Sequence, residues 1–249
     1  MRYINTKWQI ADMLTKCQFT ALLWKRLLEL ASIRPSMIDD QIKPAGSIAN
    51  KPASVIAQPQ TVDYITVGTD CSGTECPIQA LENMNLNISH RFSSEQDPMI
   101  QSIIRNNFQT QILYGDLTRR NLDKVPQVDL YVAGFPRQPF STAGKQQGFN
   151  DKKNRETIIF HIIEYTRRRR PKIYSLENVE GITTLENGTY LQVIMDELQS
   201  ISSYSIYTSV LNTKDHGLPH NRSRWYCVGI QKQVQIETFR FPNSMVMVH

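Results

Sequence analysis

Short β-branched and aromatic runs alternate with helical stretches from residue 61 onward, and this alternation constrains the fold more than any other feature. Helical periodicity is expected over 97–107, 154–170 and 188–202. Strands that alternate with helices favour a parallel sheet covered on both faces. We therefore predict an α/β, mostly parallel, doubly wound sheet over residues 61–242. The strands are expected at Tyr64–Val67, Arg91–Ser94, Ile112–Tyr114, Leu130–Ala133, Ile173–Leu176, Tyr204–Val210 and Arg224–Ile230.

Residues 1–60 differ from the rest of the chain in composition and periodicity. Residues 1–32 predict an N-terminal helix with one apolar stripe in alternating steps of four and three. Residues 33–60 contain four prolines and no periodicity, which indicates a flexible linker. Two interpretations of the helix stay open: it docks on its own domain, or it binds a protein partner. The stripe consists of Ile10, Leu14, Cys17, Ala21, Trp24, Leu28 and Ala31.

Charge and cysteine content limit the class of protein. The 249-residue chain has a net charge of +5, but residues 1–60 hold eight Lys/Arg and four Asp/Glu, so the large domain is nearly neutral. The four cysteines lack paired metal-ligand spacing, which predicts reduced thiols and no metal site. No apolar run reaches the roughly 18 residues of a membrane span, and no signal peptide is evident. We expect a soluble intracellular protein, in the nucleus or the cytoplasm.

Small or acidic residues follow three successive predicted strands. The segment Asp70-Cys71-Ser72-Gly73-Thr74-Glu75 follows the first, Glu95 ends the second, and Gly115-Asp116 follows the third. In doubly wound folds, such a turn and an acid at the second strand tip bind nucleotide-like ligands at the carboxyl edge of the sheet. Together they predict an adenosine-type cofactor.

Three further segments carry a family resemblance. They are Gly134-Phe135-Pro136-Arg137-Gln138-Pro139-Phe140-Ser141, then Leu176-Glu177-Asn178-Val179, then Leu218-Pro219-His220-Asn221-Arg222-Ser223-Arg224. In this order and spacing they resemble the nucleophile loop, Glu-Asn-Val element and Arg-x-Arg element of the DNA cytosine-5 methyltransferases. The resemblance covers about residues 62–242.

The resemblance implies a Rossmann-like fold that binds S-adenosylmethionine. Ser72 and Gly73 are expected along the methionine part, with Cys71 and Pro136 in the same cofactor pocket. Glu95 is expected to bind the ribose hydroxyls, and Asp116 the adenine amino group.

The resemblance also implies a covalent mechanism on a cytosine that is flipped out of DNA. A Cys thiolate adds to C6, C5 attacks the cofactor methyl, and a base removes the C5 proton. Glu177 is expected to hold the N3/N4 edge of the base, Arg224 its O2, and Arg222 to neutralise nearby charge. A carboxylate and a guanidinium can together bind the polar edge of a pyrimidine.

The chain departs from this pattern at the nucleophile. Arg137 occupies the family's Cys position, and a guanidinium stays protonated and offers no nucleophilic lone pair. The motif places no other cysteine to substitute for it. Glu75 stands where the family often has a second Gly, and His220 where it usually has Gln.

A second departure concerns length. Only the short tail 243–249 follows Pro242, whereas the family continues into a target-recognition region and a final motif that closes the cofactor pocket. Two functions therefore stay open: a methyltransferase acting on DNA, or a catalytically inactive relative that acts as a binding or regulatory subunit. A change of nucleophile in an otherwise active enzyme, and RNA in place of DNA, also stay open.

A basic run, Arg167–Arg170, precedes Pro171. Its position at a predicted helix C-terminus favours a solvated face. Phosphate contact is the functional alternative.

Overall fold

A computed structural model describes residues 64–136 and 158–244. The predicted N-terminal helix, the linker and Arg137 lie outside these residues. Helices α1 to α4 span Cys76–Asn83, Pro98–Asn107, Ile158–Arg169 and Thr189–Gln199. Strands β1 to β7 span Ile65–Asp70, Ile88–Ser94, Ile112–Tyr114, Leu130–Ala133, Ile173–Val179, Tyr204–Asn212 and Ser223–Gln231.

The strands form one seven-stranded sheet in the order β3-β2-β1-β4-β5-β7-β6. Strands β1 to β5 pair in parallel, and β7 runs antiparallel to both of its neighbours. The predicted mostly parallel α/β sheet is confirmed. The order reverses between β1 and β4, which is the place where open α/β sheets bind ligands at their carboxyl edge.

Strands β1, β4 and β5 are almost wholly buried, because helices cover both faces of the sheet. One apolar core contains buried residues of α3 and α4, and the other contains those of α1. Two glycines let aromatic rings lie against the strands. A Cβ at Gly68 would lie 2.2 Å from Phe92 Cε1, and one at Gly229 would lie 2.0 Å from Tyr174 Cε1.

The strand bounds differ from prediction in three informative places. Strand β1 begins one residue after the exposed Tyr64 and extends to Asp70. Strand β5 continues past the predicted end at Leu176 to Val179, and β7 begins at Ser223, one residue before the predicted start. The whole of β5 pairs with β7, with Val179 opposite Arg224. Within the described residues, no helix is long and apolar enough to cross a membrane.

Candidate functional site

The loop after β1 is a tight turn at the carboxyl edge of the sheet. Because residues 71–75 contain the predicted cofactor residues Cys71, Ser72 and Gly73, we call them the cofactor turn. Cys71, Gly73 and Glu75 all have left-handed backbone angles, with φ of 52°, 53° and 57°. This conformation is uncommon for a residue with a side chain and is concentrated at functional sites. The backbone N–H of Ser72 donates to the carbonyl of Ser94 at 3.1 Å, which fixes the turn to the end of β2.

Glu95 lies directly over this turn. One carboxylate oxygen, Oε2, accepts from the backbone N–H of Gly73 at 3.0 Å, and the other, Oε1, accepts from that of Asp97 at 3.0 Å. The backbone N–H of Glu95 donates to the carbonyl of Tyr114 at 3.1 Å. The structure thus brings two of the predicted cofactor residues, Gly73 and Glu95, into direct contact.

Asp116 follows β3 at the same edge. Its Oδ1 accepts from the backbone N–H and the hydroxyl of Thr118, at 2.9 and 2.7 Å, and its Oδ2 lies 3.5 Å from Arg119 Nε. Burial alone would raise the pKa of Asp116, but these hydrogen bonds and the Arg119 charge outweigh burial and lower it. Asp116 is therefore an ionised acceptor beside the cofactor turn.

The last residue of the turn, Glu75, is a buried acid. The side chain of Glu75 accepts from the Thr69 hydroxyl at 2.8 Å and lies 3.9 Å from Nε2 of the buried His90. Desolvation is the main cause that raises the pKa of Glu75 to about 7, and burial lowers the pKa of His90 to about 4. Where the family often has a glycine, this chain therefore has an acid that titrates near neutral pH.

The loop after β4 adjoins both the cofactor turn and β5. A Cβ placed on Gly134 would lie 3.4 Å from Glu177 Oε2 and 3.9 Å from the carbonyl oxygen of Cys71. The Asn178 amide donates to the carbonyl of the buried Phe135 at 3.0 Å. This contact fixes the start of the predicted nucleophile loop, including the exposed Pro136.

Glu177 and two arginines form the second part of the site. Arg224 Nε lies 2.9 Å from Glu177 Oε1, and Arg222 Nη2 lies 3.6 Å from the same oxygen. The side chains of Glu177 and Arg224 are 22% and 20% exposed, so the pair is open to a ligand. Both arginines contact Oε1, and Oε2 faces Gly134 instead. The three predicted base-contact residues thus converge.

The turn between β6 and β7 holds Arg222 in place. Asn212 Oδ1 accepts from the backbone N–H of Arg222 at 3.1 Å, and its amide donates to Asn221 and to Ser223, at 2.7 and 2.9 Å. The Thr213 hydroxyl donates to the carbonyl of His220. Because β7 is antiparallel, its beginning lies at the same edge as the ends of β1 to β5.

Comparison with known proteins agrees with this geometry. The sequence profile of the C-5 cytosine-specific DNA methylase family matches residues 71–247. The chain belongs to this family. The resemblance in the sequence motifs is therefore confirmed.

Methylase relatives match at the level of sequence over part of their length. The type II methyltransferase M.HaeII of Haemophilus aegyptius is 42% identical over 154 residues, covering 62% of this chain and 46% of the relative. M.BsuFI of Bacillus subtilis is 38% identical over 153 residues, covering 61% and 36%. The chain thus spans less than half the length of these two curated methylases.

Solved structures of methyltransferases share the fold. Spodoptera frugiperda DNMT2, as an E260A/E261A/K263A mutant, aligns with a TM-score of 0.57 and 20% identity, covering 72% of this chain and 53% of that one. Schizosaccharomyces pombe Dnmt2 aligns with a TM-score of 0.55 and 18% identity, covering 67% and 51%.

Two thiols of this methylase-family chain are not activated. Burial raises the pKa of Cys71 and of Cys227 far above the ordinary value, with the charges of Asp70 and Glu95 adding to the effect at Cys71. Nucleophilic cysteines in enzymes have a lowered pKa, so neither Cys71 nor Cys227 provides a thiolate. Cys76 is buried in the first turn of α1.

The basic run is mostly engaged within the methylase fold. Arg167 contacts Glu164 at 3.1 Å and Glu197 at 2.9 Å, Arg168 pairs with Asp123, and Arg169 Nη2 donates to the carbonyl of Leu122 at 2.9 Å. These contacts favour the structural interpretation over phosphate binding.

Two features of the site are not predicted by the sequence patterns. Asn178 was noted within its motif, but its contact with Phe135 was not expected. Asp70 and Arg120, fifty positions apart, form a buried ion pair below the cofactor turn. No local signal marks this pair, because an arginine in a polar loop resembles a surface residue.

Proposed function

We propose that this chain binds S-adenosylmethionine and a cytosine base of nucleic acid, and that it does not methylate that base by the family's covalent route. It would then act as a binding or regulatory member of the methylase family. The observation that carries the proposal is the convergence of Glu177, Arg222 and Arg224 on one side of Gly134, with the cofactor turn on the other.

The donor set at the carboxyl edge suits the cofactor. Glu95 supplies a carboxylate for the two ribose hydroxyls, since each of its oxygens retains a second lone pair beyond its backbone contact. Asp116 supplies an ionised acceptor for the adenine amino group, while Cys71, Ser72, Gly73 and Pro136 would line the remainder. The cofactor itself supplies a methyl group on a positively charged sulfur.

The Glu177 cluster suits the polar edge of a cytosine. Oε1 is held by Arg224, which orients the carboxylate. Oε2 can accept from the amino group of the base, and Arg224 can donate to its carbonyl oxygen. Arg222 adds positive charge close by, and this charge favours the binding of an electron-rich base.

The covalent step lacks its reactive atom. Addition to C6 needs a polarisable nucleophile that becomes a leaving group again, and Arg137 at the family's Cys position cannot serve. Burial raises the pKa of the Cys71 and Cys227 thiols, which keeps both protonated. An active methyltransferase stays the alternative, and it would require a nucleophile from elsewhere in the chain or from a partner.

Binding to DNA is expected to be weak or assisted by a partner. Residues 61–249 are almost neutral overall, and three arginines of the basic run are engaged in internal contacts. Phosphate neutralisation supplies most non-specific affinity for DNA. The predicted N-terminal helix is the candidate contact for a protein partner. Removing residues 1–60 and measuring mass by light scattering would show whether an assembly is lost.

The first test measures cofactor binding. Calorimetric titration with S-adenosylhomocysteine should give saturable heat, and Glu95→Ala should weaken binding by about 1–3 kcal/mol, the range for a lost charge-assisted contact. Glu164→Ala, which removes a partly exposed carboxylate paired with Arg167, is the matched control and should leave affinity unchanged. An absence of heat and of thermal protection at millimolar ligand contradicts the proposal.

The second test asks for the covalent step. The chain is incubated with labelled S-adenosylmethionine and DNA that carries 5-fluorocytosine, which traps the adduct of an active methylase. We expect no adduct and no methyl incorporation above a Glu177→Ala control. Arg137→Cys is the informative second variant, because it restores the thiol at the nucleophile position. If the rest of the site is intact, this variant should trap the base. Adduct formation by the unchanged chain would refute this part of the proposal.

A further inference from the structure

The buried ion pair of Asp70 and Arg120 has a geometry that fixes direction. Arg120 Nη1 and Nη2 donate to Asp70 Oδ1 and Oδ2, each at 2.5 Å, so the planar guanidinium and the carboxylate meet at two points. The two side chains are 3% and 0% exposed. Neither group is available to an external ligand, and their charges cancel.

Two more strand ends are attached to the same pair. Arg120 Nη1 also donates to the Ser94 hydroxyl at 2.6 Å, and the Tyr131 hydroxyl donates to Asp70 Oδ2 at 2.5 Å. These residues lie at the end of β1, the end of β2, the loop after β3 and the interior of β4. One guanidinium–carboxylate pair therefore connects all four elements.

Aromatic rings exclude water from this connection. The guanidinium carbon of Arg120 lies 5.4 to 5.7 Å from the ring centres of Phe92, Tyr114 and Tyr165. Burying two charges costs desolvation energy, so an ion pair of this kind is weak evidence for stability. In a dry site, however, hydrogen bonds are strong and their directions are enforced.

The elements that Arg120 joins are those that carry the candidate cofactor residues. Asp70 immediately precedes Cys71, and Ser94 immediately precedes Glu95. The carbonyl of Ser94 accepts from both the backbone N–H and the hydroxyl of Ser72, at 3.1 and 3.2 Å. Any shift of the ion pair would move these residues relative to one another.

We infer that Arg120 is a positioning residue for the cofactor site: it sets the spacing of the loops after β1, β2 and β3 without touching the cofactor. The inference rests on the proposed cofactor binding. Because the pair is neutral overall, its effect is one of geometry and not of charge. A lysine, which keeps the charge but loses the two-point contact, should therefore fail to replace Arg120.

The test compares full-length variants by calorimetric titration with S-adenosylhomocysteine. Arg120→Lys should bind at least about tenfold more weakly, the effect of one or two lost hydrogen bonds. Tyr131→Phe, which removes one hydroxyl from the network, should bind about threefold more weakly and keeps the test decisive if the lysine variant does not fold. Arg167→Lys, at an exposed arginine with two carboxylate partners, should match the wild type.

A stability control separates positioning from general damage. Leu198→Ala truncates a buried side chain of α4, distant in sequence from the cofactor loops, and should lower the melting temperature while keeping wild-type affinity. Equal affinity in wild type and a folded Arg120→Lys would overturn the inference. So would an equal loss of affinity in Leu198→Ala.

Hydrogen exchange without any ligand distinguishes this inference from the proposed function. Peptides over 71–76 and 94–97 should exchange faster in Arg120→Lys, or in Tyr131→Phe if the lysine variant does not fold, than in wild type and Arg167→Lys. Unchanged exchange would show the positioning role to be wrong, even where cofactor affinity falls. Failure of the wild type to bind S-adenosylhomocysteine, with the exchange difference present, would instead contradict the proposed function.

Discussion

The two parts of the site differ in how far their charged side chains are exposed to solvent. Near the cofactor turn, Asp70 and Arg120 are sealed by aromatic rings, and Glu95 already accepts backbone hydrogen bonds with both oxygens. At the cluster of Glu177, Arg222 and Arg224, the Glu177 side chain is partly exposed and its Oε2 faces the loop after β4. The first part therefore depends on internal geometry, whereas the second is arranged to meet a ligand. Removing a charge should therefore mainly lower stability in the first part and mainly lower ligand affinity in the second.

The largest effect is expected for Asp70→Asn. It leaves Arg120 charged and buried without a counterion, which costs about 3–5 kcal/mol in the free energy of unfolding. Asp123→Asn is the matched control, because Asp123 pairs with the exposed Arg168 and such pairs contribute about 1 kcal/mol or less. Urea unfolding measures both. Similar losses in the two variants would contradict the contrast between buried and exposed charge.

Glu75→Gln should remove a pH dependence of stability. The folded pKa of Glu75 is about 7 against an ordinary 4.5, so between these values the unfolded chain binds fewer protons and stability falls as pH rises. The buried carboxylate should therefore cost about 3 kcal/mol at pH 8 relative to pH 4.5.

The measurement is the difference in unfolding free energy between Glu75→Gln and wild type at several pH values. This difference should shift in favour of the variant as pH rises from about 5 to 8. The lowered pKa of His90 has the opposite sign, since its contribution is present above about 6.5 and is lost as pH falls towards 4. It occurs in both chains and largely cancels. A difference that does not change with pH would refute the prediction.

Glu177→Gln should affect binding more than folding. The amide weakens the contacts with the arginines and with the base, so affinity for a duplex with a mispaired cytosine should fall by about 1–3 kcal/mol. Because the pair is partly exposed, stability should change by less than about 1 kcal/mol. Fluorescence anisotropy and a urea melt report the two quantities. Glu164→Gln is the control; a loss of stability without loss of binding would reverse the assignment.

The smallest effect is expected when Arg167 and Arg168 are both changed to Gln. If their internal carboxylate partners hold them, the slope of log affinity for DNA against log salt should change by less than about one unit. Loss of two phosphate contacts would instead reduce it by about two units. Binding titrations at four salt concentrations separate the outcomes.

Much of the fold was predictable because the strands of a parallel sheet appear in the sequence as short apolar runs. Strands β3 and β4 have the predicted bounds. The four consecutive apolar residues Leu130–Ala133 are typical of a strand covered on both faces, and β4 is fully buried. Strand β3, at the edge of the sheet, is exposed or half-buried instead. The convergence of Glu177 with Arg222 and Arg224 followed from the family resemblance. The Asp70–Arg120 pair did not, because it joins residues fifty positions apart through tertiary packing that no local pattern encodes.

The antiparallel strand β7 has a consequence for the order in which the molecule assembles. It is the last of the seven strands in sequence, yet it lies between β5 and β6. A nascent chain that has emerged through β5 can already form the β3-β2-β1-β4-β5 sheet, whereas Ser223–Gln231 must still insert at its open edge. Pairings between distant parts of a chain form slowly. The cluster of Glu177, Arg222 and Arg224 is thus completed last. Until then, β5 presents an unpaired edge that a chaperone can protect or that can aggregate.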